Sequence, residues 1–330
     1  MPTTQMKLAI LDDYQHLALR VADWDRLKNT GVEITVFNEA FASADEAAAK
    51  LAPFDILCLM RERTPFPRAL IERLPNLKYL VLTGLRASSL DLAACSARRI
   101  AVSNTGAGNT NAPTAELAWL LILAAARDFA RAERGMRAGR WHEGLAGGAI
   151  LEGKRLGLLG LGKLGARVAR YGATFGMDVV AWSQNLTPER AAAAGAHPVT
   201  KEVLLETSDV LSIHLVLSDR TRGLLGTAEF ARIKPGAILV NSSRGPIVDE
   251  AAMLAALKSG RLGHAALDVY DVEPLPAGHP LRTLDNVTLS PHLGYVTEDV
   301  FRGFYADAID NIEAWLRGAP IRVMNPEALA

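Results

Sequence analysis

The sequence predicts an α/β protein built on doubly wound parallel sheets, with helices on both faces and two Rossmann-like domains. Three observations carry this. Short runs rich in Val, Ile and Leu alternate with helical stretches along the chain, which is the pattern of βαβ units. A glycine-rich turn, Gly160-Leu161-Gly162-Lys163-Leu164-Gly165, joins one such run directly to a helix, as a dinucleotide-binding unit requires. The chain has 330 residues, room for two cores at roughly 150 residues each.

Taken in order, strands are expected at 7–11, 32–37, 55–60 and 78–83. The first ends at Asp12-Asp13-Tyr14, and helices at about 17–29 and 43–51 separate the next two. A third helix follows Pro65 and Pro67 and runs through Leu74. No glycine fingerprint follows any of these strands, so this first α/β unit is not the nucleotide site. From Pro113 to about Gly139 the pattern predicts one unusually long helix. Thr110, Asn111 or Thr114 can cap it, and Pro113 is tolerated in its first turn. Its middle, 119–126, is apolar nearly all round and must be buried on several sides, against another domain or another subunit. Trp141 and a glycine-rich loop through Gly148 lead to the fingerprint.

In the fingerprint each glycine has its own task. Gly160 permits the tight turn, Gly162 lets a pyrophosphate approach the backbone, and Gly165 lets helix and strand pack closely. Lys163 and Leu164 open the helix, whose unpaired N–H groups and positive dipole end favour a phosphate. A strand at 178–182 follows, completing the context that makes the motif nucleotide-binding. NAD enzymes place an acid after that strand for the ribose hydroxyl. Here the residues are Ser183, Gln184 and Asn185. NAD loses its usual acceptor and a 2′-phosphate loses its repulsion, yet no arginine stands in the stretch. Both NAD and NADP are expected to serve, with a slight lean to NADP. Further strands are expected at 210–214, 237–241, 265–269 and 287–290, and a last helix at 298–316 stops at Gly318 and Pro320.

Composition narrows the class. Basic and acidic side chains balance at 36 each, so the chain lacks the electrostatic footprint of a nucleic-acid or membrane-surface binder. Cys58 and Cys95 have neither metal-ligand spacing nor a disulfide framework, and read as buried thiols. No signal region opens the chain, and the apolar run near 117–126 is too short to span a bilayer. A cytoplasmic protein without a metal is expected.

Ligands of open α/β sheets sit outside the carboxyl ends of the strands. Four strands of the fingerprint domain end on notable residues: His214, Arg244 in Asn241-Ser242-Ser243-Arg244-Gly245, Glu273 in the stretch that Asp268 opens, and His292 in Ser290-Pro291-His292-Leu293-Gly294. Singly each has a bland reading: a solvated arginine, a turn glutamate, a structural histidine. Together they suit the reduction of a carbonyl beside a carboxylate. Histidine titrates near neutrality and can protonate the growing alkoxide. A carboxylate partner orients the imidazole and favours its charged form. An arginine grips the substrate carboxylate through two parallel hydrogen bonds.

These ordered motifs cover essentially the whole chain and resemble the D-isomer-specific 2-hydroxyacid dehydrogenase family, which includes glyoxylate/hydroxypyruvate reductases and the catalytic part of D-3-phosphoglycerate dehydrogenase. The resemblance implies a substrate role for Arg244, and Glu273 and His292 as the acid–base pair. It implies contact of Asp268 with the nicotinamide carboxamide. It also implies a substrate domain (1–105), an inserted NAD(P)-binding domain (106–297), and a C-terminal segment (298–330) returning to the first. A homodimer through the helix at about 113–139 is implied as well. Glu273 stands where similar formate dehydrogenases carry glutamine, which speaks against formate oxidation. The family's loop for the substrate carboxylate corresponds to Gly84, Leu85 and Arg86 here, with Arg86 an added cation. The expected activity is the interconversion of a small 2-keto acid, glyoxylate- or hydroxypyruvate-like, and its D-2-hydroxy acid. The alternative from another class is a non-catalytic NAD(H)-sensing or corepressor-like protein, against which the lack of interaction tails counts. A phosphite-type substrate would use the same residues.

Overall fold

The computed structural model describes residues 5–86, 88–106, 108 and 110–330. The chain divides into two compact units, one of residues 1–109 with 297–330 and the other of residues 110–296.

The first unit is a parallel sheet of β1 (Lys7–Ile10), β2 (Glu33–Val36), β3 (Ile56–Leu59), β4 (Tyr79–Leu82) and β5 (Ala101–Asn104), in the order β2-β1-β3-β4-β5. Every residue of β3 and β4 is buried. That burial explains why these strands read as unbroken apolar runs and do not alternate. The C-terminal helix Glu298–Leu316 belongs to this unit. Trp315 stacks on Tyr79 with ring centroids 4.8 Å apart, and Trp24 meets Tyr305 edge-on at 5.7 Å. Asn325 pins the tail beyond it, accepting from the Val102 N–H at 2.8 Å and donating to the Ile100 carbonyl at 2.9 Å. The helix expected at 17–29 is two short ones, Ala18–Val21 and Asp25–Lys28. Ala22 takes an extended backbone between them, and the Trp24 indole donates to the Ala18 carbonyl at 2.7 Å.

The second unit holds β6 (Arg155–Leu159), β7 (Asp178–Trp182), β8 (His197–Pro198), β9 (Val210–Ile213), β10 (Ala237–Asn241), β11 (Leu262–Leu267) and β12 (Val287–Leu289). They form one parallel sheet in the order β12-β11-β10-β9-β6-β7-β8. Strand order reverses between β6 and β9, the switch point at which doubly wound sheets take their ligands. The single helix expected from 113 to 139 is broken. It runs Asn111–Ala126, turns at Asp128 (φ 49°), and resumes as Phe129–Arg137. The Ala126 carbonyl instead accepts the Ala149 N–H at 2.7 Å, so the returning loop seals the break. The first piece is largely covered within its own unit. Trp119 packs on Tyr171 and Phe175, while Ala115, Ala118 and Ile122 join a core with Leu156, Leu158 and Val168. Among the described residues no helix is long and apolar enough to cross a membrane, and no cluster of potential metal ligands occurs.

Candidate active site

The carboxyl ends of β12, β11, β10, β9, β6 and β7 lie in that order along one edge of the second sheet. They carry, in turn, His292, Glu273, Arg244, His214, the Gly160–Gly165 turn, and Ser183 to Asn185. The edge therefore has one half with charged, proton-handling side chains and another with glycines and neutral donors.

In the glycine half, the fold itself demands two of the three glycines. Gly160 has φ 101°, and a Cβ on it would lie 2.8 Å from the His214 backbone. A Cβ on Gly165 would lie 2.2 Å from the Gly160 carbonyl oxygen. Gly162 is different. Its φ of −82° suits any residue, and a Cβ there would meet nothing within 4 Å. Nothing inside the chain requires that glycine, so its smoothness faces outward. It is the N-cap of the helix Lys163–Thr174 and has no side-chain cap, so the first-turn N–H groups remain available. This cradle fits the pyrophosphate of a dinucleotide. His214 is half-buried and its Nε2 lies 3.0 Å from the Ser212 hydroxyl. Burial pushes its pKa down to about 4, so it presents a neutral ring at physiological pH.

In the other half, neighbouring loops are knitted together. A Cβ on Gly245 would lie 2.1 Å from the Tyr270 carbonyl carbon, so the Arg244 loop passes against the backbone of the loop bearing Glu273. The Tyr270 hydroxyl donates to the Leu267 carbonyl at 3.1 Å and the Ser290 carbonyl at 2.9 Å, joining that loop to the one bearing His292. Glu273 Oε1 accepts the Tyr270 N–H at 2.9 Å, and its Oε2 lies 2.5 Å from His292 Nδ1. With Nδ1 committed to that carboxylate, Nε2 is the nitrogen left to meet a reactant. Tyr295 packs edge-on against the imidazole, centroids 5.8 Å apart. The Arg244 guanidinium donates to the Ser243 carbonyl at 2.7 Å, and the Asn241 amide holds the Arg244 carbonyl at 3.0 Å.

Asp268 is fully buried, and its carboxylate is turned onto the His292 loop. Oδ1 accepts from the Ser290 hydroxyl at 2.6 Å and the Leu293 N–H at 2.7 Å, and Oδ2 from the Gly294 N–H at 2.9 Å. Burial raises its pKa, against the pull of these donors. The resemblance implies a carboxamide contact for Asp268. In the structure its oxygens hold the loop on either side of His292, which has the uncommon left-handed φ of 55°.

In the first unit, Gly84 follows β4 with φ 83° and donates its N–H to Thr105 Oγ1 at 2.8 Å. Leu85 and Arg86 are exposed beside it. A Cβ on Gly84 would lie 1.9 Å from the Arg61 guanidinium, so Arg61 lies against that turn. Arg63 donates to the Asp12 carbonyl at 2.6 Å and sits 4.5 Å over the Tyr14 ring. Sequence reasoning passed over Arg61 and Arg63, although both follow the carboxyl end of β3 and the strand-end rule applied elsewhere would have found them. It also passed over Arg190. That residue lies beyond the stretch after β7, yet its Nη1 returns to the Asn185 carbonyl at 3.2 Å.

Comparison with known proteins places these features. The NAD-binding domain model of the D-isomer specific 2-hydroxyacid dehydrogenases matches residues 119–294. The chain is 38% identical over 268 residues to a glyoxylate reductase of Aeropyrum pernix, covering 79% of this chain and 80% of that protein. It is 35% identical over 298 residues to a D-3-phosphoglycerate dehydrogenase of Archaeoglobus fulgidus, covering 90% of this chain but 56% of that protein. The chain thus spans little more than half the length of the D-3-phosphoglycerate dehydrogenases it matches. The crystal structure of a phosphoglycerate oxidoreductase from Vibrio cholerae o395 superposes with a TM-score of 0.90 at 36% identity, over 95% of this chain and 100% of that one.

Proposed function

The chain belongs to the D-isomer-specific 2-hydroxyacid dehydrogenase family, and from that premise we propose that it is an NAD(P)-dependent oxidoreductase. The proposed reaction reduces a small 2-keto acid, of the glyoxylate or hydroxypyruvate kind, to its D-2-hydroxy acid. The observation that carries this reading is the imidazole of His292 held at Nδ1 by Glu273, 2.5 Å away, with the strand that leads to Glu273 lying between those that lead to His292 and to Arg244. A bound nicotinamide cofactor would supply the hydride. The chain's own groups do the rest. Arg244 fixes the substrate carboxylate through its planar fork and turns the carbonyl toward the imidazole. His292 Nε2 delivers a proton to the carbonyl oxygen as it gains charge, and Glu273 stabilises the imidazolium before that transfer. Asp268 holds the loop so that Nε2 stays in place. In the first unit, Gly84, Leu85 and Arg86 are proposed to take part in binding the substrate.

The cofactor lies on Gly160, Gly162, Lys163, Leu164 and Gly165, with His214, Asp268 and the residues 183–185 completing its contacts in this reading. Without an acid after β7 both NAD(H) and NADP(H) serve, with a lean to NADP(H). A homodimer is proposed through the two helices that replace the single long one. Leu120 is 58% exposed, Phe129 60% and Met136 53%, apolar side chains on these helices that a second copy would cover.

The test is oxidation of each reduced cofactor by a panel of 2-keto acids, followed by its absorbance. Turnover with glyoxylate or hydroxypyruvate is expected. Tight dinucleotide binding with no turnover on any keto acid would instead favour a sensing protein on this scaffold.

A further inference from the structure

We infer that Thr114 is a positioning residue for His292: its hydroxyl fastens the loop that carries the imidazole to the start of the helix Asn111–Ala126. The role rests on the dehydrogenase reading above, in which His292 delivers the proton. From the carboxyl end of β11, Asp268 takes the Leu293 and Gly294 N–H groups at 2.7 and 2.9 Å. The Gly294 carbonyl accepts instead from Thr114 Oγ1, at 2.8 Å. Both backbone polar groups of the residue two places after the imidazole are thereby held, one by the sheet edge and one by the helix.

The close pass explains the glycine. Gly294 is not left-handed, so its backbone conformation does not call for one. A Cβ there would lie 3.1 Å from Thr114 Cγ2 and 3.3 Å from Asp268 Oδ2, both inside ordinary van der Waals separation. The support is also firm. Ala115, Ala118 and Ile122 of the same helix are fully buried, in a core shared with Leu156 and Val240. A group carried by a packed helix fixes its partner more precisely than one carried by a loop.

The hydroxyl does more than close a turn. It lies 2.7 Å from the Thr110 carbonyl, to which the Thr114 N–H makes only a long bond of 3.4 Å. A hydroxyl has one proton to give, so the Thr110 and Gly294 carbonyls share it. Capping the helix would need only the first. Thr110 opens the second unit and Val296 ends it, so the shared proton ties the chain's entry into that unit to its exit, beside the imidazole.

Variants that keep or remove the donor test this. Thr114→Val keeps the outline and the methyl but cannot donate, and Thr114→Ser keeps the donor. With glyoxylate or hydroxypyruvate as substrate, Thr114→Val is expected to lower kcat about tenfold to a hundredfold, the effect of a misplaced acid. KM for the keto acid and calorimetric affinity for the dinucleotide should stay within about twofold, because neither the anchor nor the cradle is touched. Thr114→Ser should recover most of kcat. Thr114→Ala, which removes the donor without new bulk, should behave as Thr114→Val and stands in for it if valine is not accommodated. Amide hydrogen exchange gives a readout without turnover. Residues 290–296 should exchange about threefold to tenfold faster in the donor-less variants, the scale of one hydrogen bond, and at the wild-type rate in Thr114→Ser. Wild-type kcat in both donor-less variants, a loss confined to KM or to thermal stability, or unchanged exchange at 290–296 would overturn the positioning role and leave the dehydrogenase reading standing. Wild-type protein that turns over no keto acid would overturn both.

Discussion

The imidazole of His292 is fixed from three directions: Glu273 at Nδ1, the Tyr295 ring beside it, and the Asp268 carboxylate beneath its backbone. If it is the acid of the proposed reaction, His292→Ala lowers the rate of keto-acid reduction by about two to four orders of magnitude. Dinucleotide affinity should barely move, and near-normal turnover in this variant would remove His292 from the chemistry. Arg244→Lys tests the anchor. Charge is kept but the two-bond grip is lost, so KM for the keto acid should rise, with kcat/KM down about tenfold or more. Wild-type kinetics in Arg244→Lys would place the anchor elsewhere. At this scale the sequence was legible where a residue's position follows from its strand end, as for Arg244, Glu273 and His292, of which the structure brings the last two into contact. It was not legible for Asp268, because the N–H groups of Leu293 and Gly294 that surround its carboxylate converge only after the loop has folded. Nor was it for Arg190, whose link to the turn depends on the direction of a helix.

Among the elements, the turn between β6 and its helix offers the sharpest division between fold and function. Gly165→Ala drives a methyl to 2.2 Å from the Gly160 carbonyl. The turn must shift, so the protein should lose stability, at the scale of the 1–3 kcal/mol typical of overpacking. Gly162→Ala meets nothing within 4 Å and should leave the thermal midpoint unchanged, while dinucleotide affinity falls as the added methyl intrudes on the phosphate. Calorimetric binding and thermal unfolding on the two variants separate these outcomes; undiminished binding by Gly162→Ala would mean that the pyrophosphate lies elsewhere. Ser183→Asp belongs beside them. A carboxylate after β7 should turn the preference to NADH, and unchanged relative affinities would show that this turn does not meet the ribose. The elements that could be read in advance are those whose pattern is continuous. β3, β4, β6 and β10 are buried along nearly their whole length, and an apolar run suffices to mark them. β5 follows Arg98 and Arg99 and itself contains Ser103 and Asn104; its partner is β4 and its support is the tail around Asn325. β8 is two residues at a sheet edge. The break at Asp128 was equally hidden, since the helical pattern continues through it and the competing donor, Ala149, lies far along the chain.

For the molecule as a whole, two histidines with lowered pKa values give a pH dependence whose sign can be worked out. Burial lowers both His214 and His264 from 6.5 to about 4. His264 Nε2 lies 2.9 Å from the Thr288 hydroxyl, so the neutral ring is satisfied where it sits. Between about pH 6.5 and 4 the unfolded chain binds protons at these rings and the folded chain does not. Stability is then present above about 6.5 and lost as pH falls toward 4, with a slope of up to about 2.7 kcal/mol per pH unit for two protons. Asp12 and Asp268 act with the opposite sign, because burial raises their pKa values and the folded state takes up protons there first. Their effect enters at the acid end and blunts the fall. Both histidines belong to the unit of residues 110–296. If the two units unfold separately, that unit's transition should move to lower temperature on acidification, and the other should follow only its own carboxylates. His264→Gln keeps a polar group near Thr288 and removes one titration, so it should remove about half of the slope between pH 7 and 5. Thermal unfolding over that range, in wild type and variant, measures it. Equal slopes in the two proteins would mean that His264 is protonated in the folded state, and that its burial among β11 and β12 opens to water before the unit unfolds.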